Sequence, residues 1–346
     1  MTTVALDLMG GDDAPDAVLD GALLAVADDA DLEIVLVGPV EQAQALQSAR
    51  GHAGRFEVVN ATQVIGMAED PARAVRSKRD ATVRVCARLV RDGRAEAMVS
   101  VGSSGATLAA AVFTLGRLRG VSRPALAAVI PARRGSLVFL DAGATTQATP
   151  ELLAQHALAG AAFATARLGI AEPRVGLLTN GEEAGKGDEV RKQAYDALAC
   201  LPIDFVGNVE GGDVPWGGVA DVVVTDGFTG NVLLKGLEGA SEMLTELLLE
   251  AINATPQGQS SAEALRAAVD EATAHMSPDV LGGAVLLGVD GVVVVGHGAA
   301  SPRAVASCLR VAAQAARAGL VPRTAALLGD LRDRRSDADR VEEVSR

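Results

Sequence analysis

The chain has 346 residues, a net charge of −13 at neutral pH, 49% apolar residues and only 2% aromatic residues. It is long enough to bury a substantial core without disulfide or metal staples. Its acidity opposes nonspecific nucleic-acid binding, and the shortage of aromatic rings removes base-stacking platforms. No charge-free apolar run reaches the length of a membrane span. Cys86, Cys200 and Cys308 are dispersed, so they form neither a disulfide framework nor a zinc-ligand spacing, and each reads as a small buried hydrophobe. The opening residues lack the basic segment and apolar core of a signal peptide, and a cytoplasmic enzyme is expected.

In chain order, short Val/Leu/Ile-rich runs predict strands at Val4–Asp7, Leu32–Val37, Phe56–Asn60, Ala97–Val101, Ala125–Ile130, Leu137–Asp141, Val175–Leu178, Phe205–Val209, Ala220–Thr225 and Gly291–Gly296. Helical patterns lie between them at Ala14–Ala27, Pro71–Arg91, Ala106–Leu115, Pro150–Leu168, Glu189–Cys200, Val232–Ile252 and Ser301–Gly319. Such alternation implies right-handed crossovers and a mostly parallel sheet covered on both faces, a three-layer α/β/α arrangement. Residues 1–330 are expected to form one catalytic α/β domain, open to a bilobal division, with a mobile helical segment near 240–280. The charged stretch 331–346 is expected to fray.

Four places repeat the layout of apolar strand, Gly-rich turn and helix start: Asp7–Asp12, Ser100–Gly105, Asn180–Gly187 and Asp226–Asn231. In a doubly wound sheet such turns gather at the carboxyl ends of the strands, where glycine lets backbone N–H groups approach an anion. One such turn is ordinary βα punctuation; four carrying Ser, Lys, Asn and Asp point to a phosphate or oxyanion site. Gly181–Lys186 is too short for a Walker A loop and is followed by Gly187, not Ser or Thr. No complete dinucleotide fingerprint follows the first strand, and no Ser-centred nucleophile elbow or Cys–His neighbourhood occurs.

The chain resembles the PlsX family of phosphate acyltransferases at Asp7–Pro15, at Val64-Ile65-Gly66-Met67 with Asp70-Pro71, and at Gly102–Gly105. The resemblance continues at Gly181–Glu183 with Gly185–Gly187, at Asp226–Phe228 with Gly230-Asn231, at Gly282-Gly283 and at His297-Gly298. Asp13, Thr145-Thr146-Gln147 and Thr179-Asn180 depart from the usual family pattern. The resemblance implies an architecture like that of phosphate acetyltransferase and isocitrate dehydrogenase. It also implies transfer of a long-chain acyl group from acyl–acyl carrier protein to inorganic phosphate, giving acyl phosphate for phospholipid synthesis. A homodimer without metal or organic cofactor is implied too, with acyl phosphate passed to a membrane acyltransferase and peripheral contact at the inner face of the membrane.

The candidate catalytic residues are Lys186, Asn231 and His297. Phosphate is already an anionic nucleophile, so the protein has to hold it and stabilise charge on the thioester oxygen. Lys186 supplies a point charge, and at least one of Glu182 and Glu183 is expected to pair with it or with another base, against the alternative of helix N-terminal acids favoured by the dipole. Asn231, taken to open its helix, either caps it or donates to an oxyanion. His297 either protonates the departing thiolate or only orients groups. Asp7, Gly10, Gly11, Asp12, Gly102, Ser103, Ser104, Gly105, Gly185, Gly187, Asp226 and Gly230 are the expected substrate-binding positions. His156 reads as packing, and His52 and His275 as exposed.

The basic run Arg73–Arg94, and Arg76, Lys78 and Arg79 in particular, is expected to dock the acidic carrier protein, against the alternative of a solvated helix face. The stripe Met243, Leu244, Leu247, Leu248 and Ile252 reads first as core or dimer packing, and second as a membrane-contacting or acyl-lining surface. Two rival functions are a coenzyme A-dependent phosphate acetyl- or butyryltransferase and a non-enzymatic phospho-ligand sensor or lipid-synthesis scaffold.

Overall fold

A computed structural model describes residues 1–254, 264–265, 268–269 and 278–329. The tail 331–346, His275 and most of the later part of the 240–280 segment lie outside the described residues. In chain order, the first part of the fold comprises β1 (Thr2–Asp7), α1 (Asp16–Asp28), β2 (Leu32–Gly38), α2 (Val40–Ala49), β3 (Glu57–Asn60), α3 (Pro71–Ser77), α4 (Thr82–Arg91), β4 (Ala97–Ser100) and α5 (Ser104–Thr114). The hairpin β5 (Ala125–Ala132) and β6 (Gly135–Leu140) leads into α6 (Pro150–Leu168), β7 (Arg174–Thr179), α7 (Glu189–Ala199), β8 (Asp204–Glu210), β9 (Val222–Val224) and α8 (Gly227–Asn253). Then follow α9 (Pro278–Leu281), β10 (Ala284–Leu287), β11 (Val292–Val295) and α10 (Pro302–Arg317).

The eleven strands among the described residues join one sheet in the order β3-β2-β1-β4-β11-β10-β5-β6-β9-β7-β8. The first five are mutually parallel, as are the last four. Between the two groups β11/β10, β10/β5 and β5/β6 are all antiparallel. Three reversals leave the two parallel groups running in opposite directions. Their carboxyl ends therefore lie on opposite edges of the sheet.

Side chains alternate across the pleat: Val4 and Leu6 of β1 enter one core layer, while Ala5 enters the other. The first layer packs against α1, α6 and α10, and the second against α4 and α5. Leu233, Leu234 and Leu237 of α8 cover Phe139, Leu178 and Val223 in the second half of the sheet. Cys86 and Cys308 are buried as expected, and burial pushes the Cys308 thiol up to about 12. Cys200 is exposed, contrary to expectation, because it sits on the C-cap of α7.

Other departures have local causes. The helix expected over Pro71–Arg91 is two helices, because Asp80 Oδ2 accepts from the Thr62 N–H and hydroxyl at 2.7 and 2.8 Å and pins the chain between them. Helix α2 carries no clear apolar stripe: one of its two buried positions is Gln47, whose Oε1 accepts the Phe56 N–H at 2.9 Å. Strand β10 follows Gly282-Gly283 and has only four residues. Met243, Leu244, Leu247 and Leu248 lie outside the core, each more than half exposed, because α8 continues beyond the sheet it covers. Among the described residues no single helix is long and apolar enough to cross a membrane; α10 with the helix Leu320–Gly329 passes only as a bent pair.

Leu309 of α10 is fully buried in the layer that also holds Val18 and Leu19 of α1. Leu309→Ala is expected to cost about 2–5 kcal/mol, as for other large-to-small core changes, measured by urea denaturation. A loss well below about 1 kcal/mol would show that α10 is not part of the cooperative first half.

Candidate functional site

The first carboxyl edge gathers the turns after β1, β4 and β11. Asp12 N–H donates to Gly298 O at 2.8 Å, tying the β1 turn to the β11 turn. A Cβ on Gly10 would lie 2.9 Å from Gly102 N, so the β1 and β4 turns are also in close contact. Between them is a cavity of about 120 Å³, bordered by Asp7, Gly10, Gly11, Asp12, Gly102 and Ser103 and by Val64–Met67. Asp7 is 3% exposed; its Oδ2 accepts from Ser100 Oγ at 2.8 Å, and Oδ1 has no hydrogen bond. Burial raises the Asp7 carboxyl above its usual range, against the lowering effect of the Thr82 and Ser100 hydroxyls. Ser103 caps α5 through Oγ, which accepts the Ala106 N–H, while Ser104 is exposed in the first turn beside Gly105. His297 is exposed, with Nδ1 accepting from the Ala299 N–H at 3.2 Å.

The second edge gathers the turns after β6, β7 and β9. Asp141, fully buried, accepts four backbone N–H groups: Leu126, Gly143 and Ala144 on Oδ1 and Thr145 on Oδ2, at 2.7–3.0 Å. The first turn of α8 rests on this loop. A Cβ on Gly230 would fall 1.9 Å from Asp141 O, and one on Gly227 would fall 2.7 Å from Asp141 Oδ2, so only glycine permits the approach. Asn231 donates from Nδ2 to Ala142 O at 3.0 Å. It is not the helix cap. Asp226 caps α8, accepting from the Thr229 N–H at 2.9 Å and its hydroxyl at 2.7 Å, so the helix begins five residues earlier than its apolar pattern suggests.

Lys186 lies in the turn before α7, two residues ahead of its Asp188 cap, with a half-exposed side chain. Its Nζ stands 3.9 Å from Glu183 Oε2, the acidic pairing expected from the sequence. Gly185 and Gly187 flank it, and the Gly187 N–H donates to Asn180 Oδ1 at 3.0 Å. The Glu183 carbonyl accepts from both Lys186 N–H and Asn208 Nδ2, at 2.9 and 2.7 Å.

Sequence reasoning missed Arg191. Its guanidinium bonds Leu178 O, Asp188, Thr225, Thr229 and Asp226, joining the starts of α7 and α8. Burial alone would raise the Asp226 carboxyl; bonds from Thr229 and Arg191 outweigh it and hold the group below the usual carboxylate range. Beside the clamp runs a groove of about 510 Å³ lined in part by Leu178, Phe228, Val232 and Leu233.

The structure therefore brings Lys186, Gly185, Gly187, Asp226, Gly230 and Asn231 to one edge. It places His297, Asp7, Gly10, Gly11, Asp12, Gly102, Ser103, Ser104 and Gly105 at the other. The four turns do not gather at one edge, because the sheet reverses between β11 and β6. Among the described residues no group of three or more His, Cys, Asp or Glu side chains is placed to hold a metal ion.

Residues 2–323 match the family model described as "Fatty acid synthesis protein". The chain is 41% identical over 321 residues to a phosphate acyltransferase of Desulfitobacterium hafniense strain Y51, covering 93% of this chain and 96% of that protein. The chain belongs to the PlsX family of phosphate acyltransferases. A second member, from Anaeromyxobacter sp. strain Fw109-5, is 43% identical over 320 residues, 92% of this chain and 88% of that one. As a family member the protein is an acyltransferase. Among solved structures, a phosphotransacetylase from Streptococcus pyogenes has a TM-score of 0.61 at 17% identity, covering 91% of this chain and 94% of that one. A branched-chain phosphotransacylase from Enterococcus faecalis V583 has a TM-score of 0.59 at 16% identity, covering 91% and 99%. The shared fold is the three-layer, mostly parallel architecture expected from the sequence.

The basic run is only partly outward. Lys78 Nζ is engaged by Glu69 Oε1 at 2.7 Å and Val64 O at 2.8 Å, fixing the loop that borders the first cavity. Arg84 donates to Val75 O, and Arg94 pairs with Glu57. Arg73, Arg76 and Arg79 remain exposed, with Arg76 over the Phe113 ring at 4.7 Å.

Because the folded-state Asp226 group lies below its unfolded value, its charge-dependent contribution is complete above about pH 4. That contribution is lost as pH falls through the lower folded value. Comparing Asp226→Asn with the wild type by thermal melting is expected to give a Tm gap that is constant near neutrality and closes in acid. A gap unchanged down to about pH 2 would show that the carboxyl's charge does not hold α8 in place.

Proposed function

We propose that the protein transfers a long-chain acyl group from the thioester of acyl–acyl carrier protein to inorganic phosphate. The products are acyl phosphate, a precursor for phospholipid synthesis, and the free carrier thiol. The observation that carries this reading is the second edge. There a half-exposed lysine on a glycine turn stands beside the N-termini of two helices joined by Arg191, and an apolar groove opens next to them.

A phosphate oxygen attacks the thioester carbonyl carbon, a tetrahedral oxyanion forms, the C–S bond breaks, and the sulfur departs as a thiolate that takes a proton. Lys186 holds the phosphate as a point charge, assisted by the fields at the starts of α7 and α8. Arg191 has its donors committed to the clamp, so its part is to keep those two helix starts in register. Asn231 has two amide N–H groups; one holds Ala142 O, and the second is the donor assigned to the oxyanion. The groove past Phe228, Val232 and Leu233 suits an acyl chain. Exposed Arg73, Arg76 and Arg79 suit an acidic protein donor better than a small coenzyme. The reaction is assigned to the cytoplasm, with acyl phosphate handed on to an acyltransferase at the inner face of the membrane.

The protein is assigned to work as a homodimer. Opposed carboxyl edges separate Lys186 from His297 and the Ser103 turn within one chain, by five strand steps between β11 and β7. A twofold partner can set the first edge of one copy against the second edge of the other.

Hydroxylamine trapping of acyl phosphate tests the chemistry. Wild-type protein is expected to give acyl hydroxamate from long-chain acyl–carrier protein and phosphate, with less from the coenzyme A thioester at equal concentration. Lys186→Ala is expected to lower turnover about a hundred-fold. A binder without turnover yields no trapped product, and preference for the coenzyme thioester would transfer the protein to the rival phosphotransacylase reading.

Mixed dimers test the shared site. A doubly tagged heterodimer with Lys186→Ala in one copy and Asp7→Leu in the other is expected to keep about half of wild-type turnover at limiting donor, since one of its two sites is intact. Turnover no higher than that of the two parental variants would place the whole site within one chain.

A further inference from the structure

We infer that the cavity at the carboxyl ends of β1 and β4 receives the uncharged, amide-bearing thiol arm of the acyl donor, and does not receive phosphate. The identity of the donor rests on the acyl-transfer reading above; the assignment of the cavity rests on its own walls.

No Lys, Arg or His lines the cavity, whereas two carboxyl side chains, Asp7 and Asp12, do. A phosphate dianion placed there would meet carboxyl oxygens with no cation beside it, a repulsion sharpened by burial. A group that donates N–H bonds meets the opposite situation. Asp7 is buried in the wall with one oxygen taken by Ser100, and Oδ1 makes no hydrogen bond. A buried acceptor left in this state costs free energy that a ligand amide recovers by donating to it. The cavity thus selects a neutral donor of hydrogen bonds.

Size narrows the choice further. At about 120 Å³ the space is well below the roughly 300–1,000 Å³ of pockets that enclose drug-sized ligands. It admits a slender chain and excludes a nucleotide-sized head group. Its walls are held close, since the Gly10 and Gly102 turns meet with no room for a side chain between them. Ile65, Val83 and Ala106 supply apolar wall for methylene groups between amides.

The mouth of the cavity matches the rest of such a donor. Val64 and Met67 on its border are 41% and 58% exposed, giving an apolar lip. That lip is fixed to the end of α3 by Lys78, which binds both Val64 O and Glu69. A Cβ on Gly105 would lie 2.7 Å from Pro71 Cγ, so the start of α3 is packed against the cavity turn as well. An acidic carrier resting on Arg73, Arg76 and Arg79 is therefore beside the opening through which its arm would enter.

The experiment uses D-pantetheine, the arm without carrier or acyl chain, and inorganic phosphate as separate probes of the full chain by titration calorimetry. Asp7→Leu removes the acceptor. Met67→Trp blocks the exposed lip and leaves the buried wall intact, so it serves even if the first variant fails to fold. Both are expected to weaken pantetheine binding about tenfold or more, the first by removing a buried acceptor and the second by blocking the entrance, while phosphate binding stays at the wild-type value. Pantetheine binding unchanged in Met67→Trp, or phosphate binding lost in Asp7→Leu with its melting transition intact, overturns the inference. Hydroxylamine trapping with the wild type separates the two readings. Trapped product with pantetheine indifferent to the variants overturns the arm site alone. Variant-sensitive pantetheine binding without trapped product upholds the arm site and overturns the acyl-transfer reading.

Discussion

The second half of the molecule is organised around the Asp141 carboxyl group, which sits at the end of β6 and accepts four backbone N–H groups from the strand beside it and the loop after it. Those bonds fix the loop without any regular secondary structure. The Ala142 carbonyl then becomes the acceptor for Asn231, and the Asp141 backbone becomes the surface on which Gly227 and Gly230 lie. Helix α8 can start this close to the loop because its own first turn lacks side chains at those two places. Unpaired, the four N–H groups would each carry a penalty of about 1–3 kcal/mol, so the loop and the helix start stand or fall together.

Arg191 extends the same construction to β7 and α7. Its bonds to Leu178 O, Asp188 and Asp226 place the Lys186 turn at a set distance from the α8 start. A planar guanidinium with several donors can hold partners in three segments at once, which an ammonium cannot do with the same geometry. The consequence is a division of labour between two cations a few residues apart. The arginine is used up by the scaffold, and Lys186, half exposed with its nearest carboxylate at 3.9 Å, remains available to an incoming anion.

How legible this was in the sequence depended on whether the signal was local. Val4–Asp7, Leu32–Val37 and most other strands stood out as continuous apolar runs, because strands covered on both faces carry no polar alternation. The glycine turns likewise announced themselves, since close approach leaves no alternative residue. Helix α2 escaped because Gln47 is buried for the sake of one bond to Phe56, a polar residue standing where the pattern requires an apolar one. The start of α8 was placed too late for a related reason: Gly227 and Gly230 read as loop, although Asp226 followed three residues later by Thr229 is itself a capping signal. The capping role weighed for Asn231 accordingly falls away, since the residue lies inside the helix and braces the Ala142 carbonyl. Arg191 gave no signal at all, because its partners lie up to 38 positions away and only the packing of α7 against the sheet brings them within reach.

The direction of the strands was the part least open to sequence reasoning, and it has the largest consequence. Alternation of strands and helices predicts parallel neighbours, yet one hairpin, β5–β6, and one late strand, β10, are enough to reverse half the sheet. Each reversal is a local pairing choice, but their product decides whether four similar turns share an edge. Here they divide by electrostatic character as well as by position. The first edge offers carboxyl groups, hydroxyls and no basic side chain around its cavity; the second offers a lysine and two helix N-termini capped by Asp188 and Asp226. At the second edge the carboxylates are themselves paired: Glu183 stands 3.9 Å from Lys186 Nζ, and Asp188 and Asp226 are both bound by Arg191. Within one chain the reversal therefore leaves an unpaired buried carboxyl oxygen, Asp7 Oδ1, at one edge and a half-exposed cation, Lys186, at the other.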